Sequence, residues 1–419
     1  MSHTLLARLF TLTLLGLLGL FFTSAAAATG ITKDKPRVAH QVSSQVCRAC
    51  HEDIYEQWSG SMHANSVALK DPIHGGFYQM VIGDPTKEGV KTKKGKYPVC
   101  LKCHSPNAAR DKKTKLDARP AYSEGVNCLS CHMMESYKGT ESPEGKAQYG
   151  TDAYVMSKTA LQAPSGQTYS VHTAPSDGSD DRSPVELPFH PFPMVGNAMH
   201  KSNEACMGCH DRRDNFKGAP LCVTGDEYNM VGSFVSCQSC HMPRIDGIAN
   251  HTMGGGHDEG MVKEASIMNM ETEVQGDQIK AKVEVHNRLP HAFPTGAPFR
   301  YLFLRVVAYD SDGNELWKNF QKDPIKEDPK SLFIKVLGDK DDKPTGPPTA
   351  TQVLQDTRLQ PNERREVEYT IPARNVYLVR AELMYNLIKP VHIEMLGDAL
   401  TPEHTDPKVA AMAESFFGE

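Results

Sequence analysis

Ten of the eleven cysteines fall into five Cys-x-x-Cys-His units: Cys47-Cys50-His51, Cys100-Cys103-His104, Cys128-Cys131-His132, Cys206-Cys209-His210 and Cys237-Cys240-His241. This spacing is the attachment pattern of c-type haem. The two thiols form thioethers to the two vinyl-derived carbons of one porphyrin, and the adjacent histidine turns back beneath the ring to bind iron. A single unit could equally be a redox pair or half a zinc site. Five, each closed by His, imply five covalently bound c-type haems with His51, His104, His132, His210 and His241 as proximal iron ligands. Cys222 is left over and is expected to be an inert buried thiol.

Thirteen further histidines are available for the opposite iron faces, one of them, His3, in the N-terminal leader. That supply favours bis-histidine iron throughout, which suits electron transfer better than substrate chemistry. The candidates are His63, His200, His251, His257 and His291, with His190 and His74 in reserve. His63 ends a segment, Glu52 to His63, that reads as a helix with Ile54, Trp58 and Met62 on one face. An unbroken helix would set His63 about 18 Å from His51, so it would serve a neighbouring haem. Met62, Met199 and Met253 adjoin these histidines, where gap filling is their expected use. Gly254, Gly255 and Gly256 would let the backbone pass close to a macrocycle.

The elements that must position these groups divide the chain unevenly. The five motifs occupy residues 47–241, 39 residues per haem. So little chain cannot enclose each ring in its own core, so the haems themselves must form much of it, wrapped by short helices and loops. The intervals between proximal histidines, 53, 28, 78 and 31, pair His104 with His132 and His210 with His241. The Pro-, Ser- and Gly-rich stretch 159–193 is expected to run over the surface. Eleven Lys and Arg lie between Lys87 and Arg119, either facing an acidic partner or propionates, or simply solvated.

After about residue 265 the pattern changes to short strands at 279–285, 301–309, 367–371, 376–385 and 392–395, with a turn at Asp310–Gly313 and a closing helix from Pro407 to Phe417. The fold class expected is α + β: a mainly α/loop multihaem domain followed by an antiparallel β-sandwich-like domain. The boundaries are 1–28 for a signal peptide, 29–265 for the haem domain, 266–398 for the β domain and 399–419 for a helical tail. Arg8, the apolar run Leu9 to Phe22 and the small residues from Ser24 to Ala28 have the form of a cleaved export signal. Export to the periplasm or beyond follows, with no transmembrane segment in the mature chain. A net charge of -5, with no basic excess, argues against a broad nucleic-acid-binding face.

Ile54-Tyr55, Trp58 and Ser61-Met62-His63 after the first motif resemble the cytochrome c-554 and hydroxylamine-oxidoreductase-related multihaem cytochromes. Gly125-Val-Asn-Cys-Leu-Ser-Cys-His132, Ser236-Cys-Gln-Ser-Cys-His-Met-Pro243 and Pro290-His291-Ala-Phe-Pro-Thr-Gly296 are similar to recurring phrases of that group. The last also occurs in exported cytochromes of metal-respiring bacteria, which connects it with anaerobic respiration. The resemblance implies stacked and perpendicular haem pairs with mostly bis-His iron. Pentahaem nitrite reductases of the same superfamily usually bind their catalytic haem through Cys-x-x-Cys-Lys, whereas all five motifs here end in His. The tyrosine crosslink of hydroxylamine oxidoreductases has no locatable counterpart. The first functional reading is therefore an electron-transfer cytochrome, with no catalytic residue assigned, passing electrons to redox partner proteins or an external acceptor. A reductase or oxidase of a small nitrogen or sulfur compound with one open-faced haem is the second. A homo-oligomer or filament, in which one subunit completes a haem of the next, is the third.

Overall fold

The computed structural model describes residues 38–165 and 192–418. The leader at 1–28, His190 and most of the stretch 159–193 lie outside the described residues. The fold is mixed α + β.

Each motif overlaps a short helical turn: Gln45–Arg48, Leu101–His104 with Cys100 at its N-cap, Cys128–His132, Glu204–His210 and Cys237–His241. One turn suffices, because residues three apart share a helix face and present both thiols to the same side. Two of the turns start on side-chain caps: Asn127 accepts from the Ser130 N–H, and Ser236 from the Ser239 N–H.

The helix expected from Glu52 to His63 is broken. It runs Glu52–Ser59, and a second turn, Met62–Asn65, restarts after Gly60 and Ser61. The Ser61 hydroxyl caps that second turn by accepting from the Ala64 N–H at 3.3 Å. The break re-aims His63 while Trp58 stays buried, its indole N–H donating to the Val126 carbonyl at 2.9 Å. Gly125 packs on the new turn. Its φ of 62° is left-handed, and a Cβ there would stand 2.2 Å from the His63 carbonyl oxygen, so glycine is required.

Buried apolar residues of this half form small patches, such as Val67, Tyr78, Leu101, Leu116 and Tyr122, or Ala39, Val42, Leu129, Met133 and Leu161. The second half has a continuous core. Its strands are β1 (Ser266–Gln275), β2 (Gln278–Asn287), β3 (Tyr301–Tyr309), β4 (Glu315–Lys318), β5 (Leu332–Gly338), β6 (Gln352–Asp356), β7 (Arg364–Pro372), β8 (Leu378–Asn386) and β9 (Lys408–Phe416). One antiparallel sheet has the order β7-β2-β1, and the other β6-β5-β3-β8-β9 with β4 beside β3. Alternation decides the faces. Ile279, Ala281, Val283 and Val285 of β2 join Leu302, Leu304, Val306 and Ala308 of β3 in a single cluster fed by both sheets. The other face of β3 packs Tyr301 and Phe303 against Leu332 and Ile334, which explains its unbroken apolar run.

Two expected elements need correction. Residues 392–395 are not a strand but part of the helix Pro390–Leu396, with proline at its first position. Residues 408–416 are β9, not a helix. The Ala-rich sequence there favours helix locally, but pairing along β8 and contact with β1, where Thr272 meets Ser415 at 2.7 Å, override that preference.

Candidate haem sites

No two of the eleven cysteines are joined as a disulfide, and among the described residues no three His, Cys, Asp or Glu side chains converge as a bare-metal site. The motifs instead adjoin pairwise. Cys47 of the first motif contacts Cys128 of the third, Cys103 of the second contacts Cys209 of the fourth, and Cys206 of the fourth contacts Cys237 of the fifth. Motifs distant in sequence therefore lie side by side.

The histidine rings provide a fit test for haem iron. A metal–imidazole bond of about 2 Å on each side places the centroids of two trans imidazoles about 6 Å apart. His132 and His251 stand 6.4 Å apart with planes at 23°, His241 and His291 6.5 Å apart at 21°, and His63 and His210 6.0 Å apart at 85°. Backbone carbonyls hold several of these rings by Nδ1: Gln162 for His132, Ala249 for His251, Gly254 for His241 and Ala292 for His291, at 2.8, 2.7, 2.6 and 3.0 Å. An Nδ1–H donated to a carbonyl leaves the Nε2 lone pair for a metal, the usual outer support of a ligating histidine. Burial holds His63 neutral, with its pKa lowered to about 3, and holds His210 at about 4. Neutral imidazole is the ligating form. These residues fit the iron of covalently attached haem.

The remaining candidates are placed differently. His200 lies 5.9 Å from His132 with nearly parallel planes, but its Nε2 is engaged by the Met134 carbonyl at 3.1 Å. His200 and His251 thus both stand at ring-pair distance from His132, each held by a different ring nitrogen. His257 faces His404 at 6.4 Å, and its backbone carbonyl accepts from Lys408 Nζ. Burial, with Arg300 and Lys408 nearby, lowers the His257 pKa to about 3. His51 is exposed at the end of its motif. His74, a reserve in sequence terms, stacks on His104 at 3.9 Å, with both Nδ1 atoms on the Ser66 carbonyl. That arrangement is side by side and too close to hold an iron between the rings. Its Nε2 is nevertheless buried and unpartnered. The Asp71 cap of the helix Pro72–Val81 holds His74 in the first turn, a signal the sequence carried in Asp71-Pro72.

Two further groups escaped sequence reasoning. Arg213 reaches between motifs, with Nη1 3.4 Å from Cys103 Sγ and its guanidinium over the Tyr149 ring. Glu227 is buried between the fourth and fifth motifs. It accepts from the Ala292 N–H at 3.2 Å and the Thr295 hydroxyl at 2.5 Å, and so holds the loop that carries His291. Each sits among other charged residues, Arg213 in Asp211-Arg-Arg-Asp214 and Glu227 beside Asp226, and only their long-range partners single them out. Cys222 lies 3.7 Å from the His210 carbonyl, and burial pushes its thiol pKa up.

Residues 46–133 match the family model described as cytochrome c554 and c-prime. The chain is also similar to a penta-heme cytochrome c552 from Thermochromatium tepidum, 48% identical, covering 91% of this chain and 100% of that one at a TM-score of 0.83. A second structure, the sporulation control protein Spo0M of Bacillus subtilis, is 13% identical over 29% of this chain and 44% of its own. Its TM-score is 0.12. No curated protein matches. With its motifs side by side and a 48% identical relative spanned over its whole length, the chain belongs to the multihaem c-type cytochromes, electron-transfer proteins that hold their haem covalently.

Proposed function

We propose that the chain is an exported penta-haem cytochrome, acting in the periplasm or outside the cell, that conducts electrons through mostly bis-His haems. Bound haem supplies a one-electron iron couple whose six-coordinate form changes little on reduction. The chain's own part is to fix five such centres within reach of one another. The observation that carries the reading is the pairwise contact of the motifs, first with third, second with fourth and fourth with fifth. The ring pairs His132–His251, His241–His291 and His63–His210 support axial ligation of three irons. His74 is the nearest additional imidazole to His104. The apolar cluster shared by the two sheets supports a sandwich-like β domain that runs from about 265 through the last strand, Lys408–Phe416. Among the described residues no helix is long and apolar enough to cross a membrane.

The test is a haem count joined to an electron count on the holoprotein. Intact mass and the alkaline pyridine spectrum should give five haems per chain, and reductive titration five electrons, all returned to an added oxidant. Fewer haems, or haem lost on denaturation, would remove the penta-haem reading. Turnover of nitrite, hydroxylamine or sulfite at a substantial rate would replace the carrier reading with a catalytic one.

A further inference from the structure

The stretch 84–119 carries eleven basic and four acidic residues in a chain whose net charge is -5. Its two lysine runs, 87–96 and 112–115, are stitched into one surface. The Tyr97 hydroxyl donates to the Lys113 carbonyl at 2.8 Å, the Gly89 N–H to Thr114 Oγ1 at 2.8 Å, and the Leu116 N–H to the Pro85 carbonyl at 2.9 Å. Lys87, Lys91, Lys93, Lys94, Lys96 and Lys112 all point to solvent. Beside them Phe216 is 64% exposed, with the ammonium groups of Lys94 and Lys217 at 5.1 and 5.9 Å from its ring centroid. An exposed aromatic side chain ringed by like charges has the composition of a docking anchor with a steering rim.

This surface leads directly to the second motif. Lys96 is followed by Tyr97-Pro-Val-Cys100, and Phe216 lies three residues beyond Arg213, whose guanidinium touches Cys103. The Phe216 turn is itself braced, with Asn215 Nδ2 donating to the Pro347 and Ala350 carbonyls at 2.8 Å each. The thiol contacts join the second, fourth and fifth motifs in one run with the fourth in the middle, so the second motif is one of that run's two ends. A chain of electron carriers exchanges with partners at its ends.

We propose that the face centred on Phe216 and rimmed by Lys94, Lys217 and the lysines of 87–96 is the docking site for an acidic redox protein that exchanges electrons at the second haem. The inference rests on the carrier reading above and adds the place and the charge of the partner. Basic side chains at the rim accelerate encounter with an acidic partner and make the rate fall with salt, while the aromatic centre sets how long the pair persists.

The test is stopped-flow reduction of the holoprotein by flavodoxin hydroquinone, an acidic one-electron carrier, over a range of ionic strength. A reduced basic monohaem cytochrome and an uncharged small reductant serve as comparisons. The unaltered protein should react fastest with flavodoxin at low salt and slow steeply as salt rises. Lys94→Glu with Lys217→Glu should cut the low-salt rate on the order of tenfold and flatten the salt dependence. Phe216→Ala should weaken the complex while leaving the salt slope in place. Lys326→Glu with Lys340→Glu, on the β half, should change neither. All variants should be fully reduced by the small reductant, and failure of the unaltered protein there would sink the carrier reading itself. The docking site is overturned by a salt-independent flavodoxin rate, by an equal loss in the β-half variant, or by a faster reaction with the basic cytochrome. It is also overturned if the Lys94 and Lys217 changes shift a haem potential but not the salt slope, which would assign those lysines to propionates.

Discussion

The carboxylate of Glu227 meets the guanidinium of Arg358 at 2.7 Å, across 131 positions of sequence and with both side chains buried. The same guanidinium reaches Asp356 at 2.7 Å, and the other oxygen of Glu227 takes the Ala292 N–H. A buried pair is not in itself a source of net stability, but breaking it strands a charge. Glu227→Ala should therefore cost about 3–5 kcal/mol in denaturant unfolding of the holoprotein. The combined change Glu227→Leu, Arg358→Met and Asp356→Asn should cost less than Glu227→Ala, because it leaves none of the three charges without its partner. Equal costs would mean that the pair does not carry the junction.

Lys389 is buried with its ammonium donating to the Pro298 carbonyl at 2.8 Å, and burial lowers its pKa from 10.5 to about 8. Between those values the unfolded chain holds a proton that the fold releases, so this group's contribution to stability rises with pH across the window from about 8 to 10.5. Below about 8 its full burial cost is present. Lys389→Met should flatten that part of the stability curve, as read from denaturation midpoints at several pH values. An unchanged slope would assign the dependence to other groups.

His251 and His200 both flank His132, and their hydrogen bonds differ in which nitrogen is left free. His251→Ala should convert about one haem in five to high spin, whereas His200→Ala should leave the spin state unchanged. Visible and paramagnetic resonance spectra of the two variants decide between them. The reverse result would reassign the ligand.

Arg213 places a fixed positive charge beside Cys103. Positive charge favours the reduced iron, so Arg213→Gln should lower the potential of at least one haem, on the order of tens of mV. Spectroelectrochemical titration would show the shift, and an unmoved set of potentials would leave the arginine a packing role.

The attachment chemistry was fully legible in the sequence because a thioether pair with an adjacent ligand is local: three residues in a run of five. The strands of the β half were legible for a related reason, since alternation in 279–285 or 367–371 reports one buried face directly. The tail at 408–416 was misread because its alanines say helix while the open edge of β8 says strand, and only the tertiary partner decides. Distal histidines were harder still. The placement of His63 depended on a helix break at Gly60 and Ser61, and that of His251 and His200 beside His132 on backbone carbonyls that no spacing rule locates. His74 stood among the reserves because nothing in its spacing shows that the Ser66 carbonyl brings it against His104.

Low-temperature electron paramagnetic resonance of the oxidised holoprotein, with spin quantitation per haem, tests the central claim most directly. Six-coordinate iron throughout, mostly bis-His, predicts low-spin signals accounting for all five haems, with no high-spin fraction on dilution or on addition of nitrite or hydroxylamine. A persistent high-spin signal near one haem in five, altered by either compound, would contradict the carrier account and identify an open iron. A high-spin signal that disappears as the protein is concentrated would show that a second copy of the chain supplies the missing ligand.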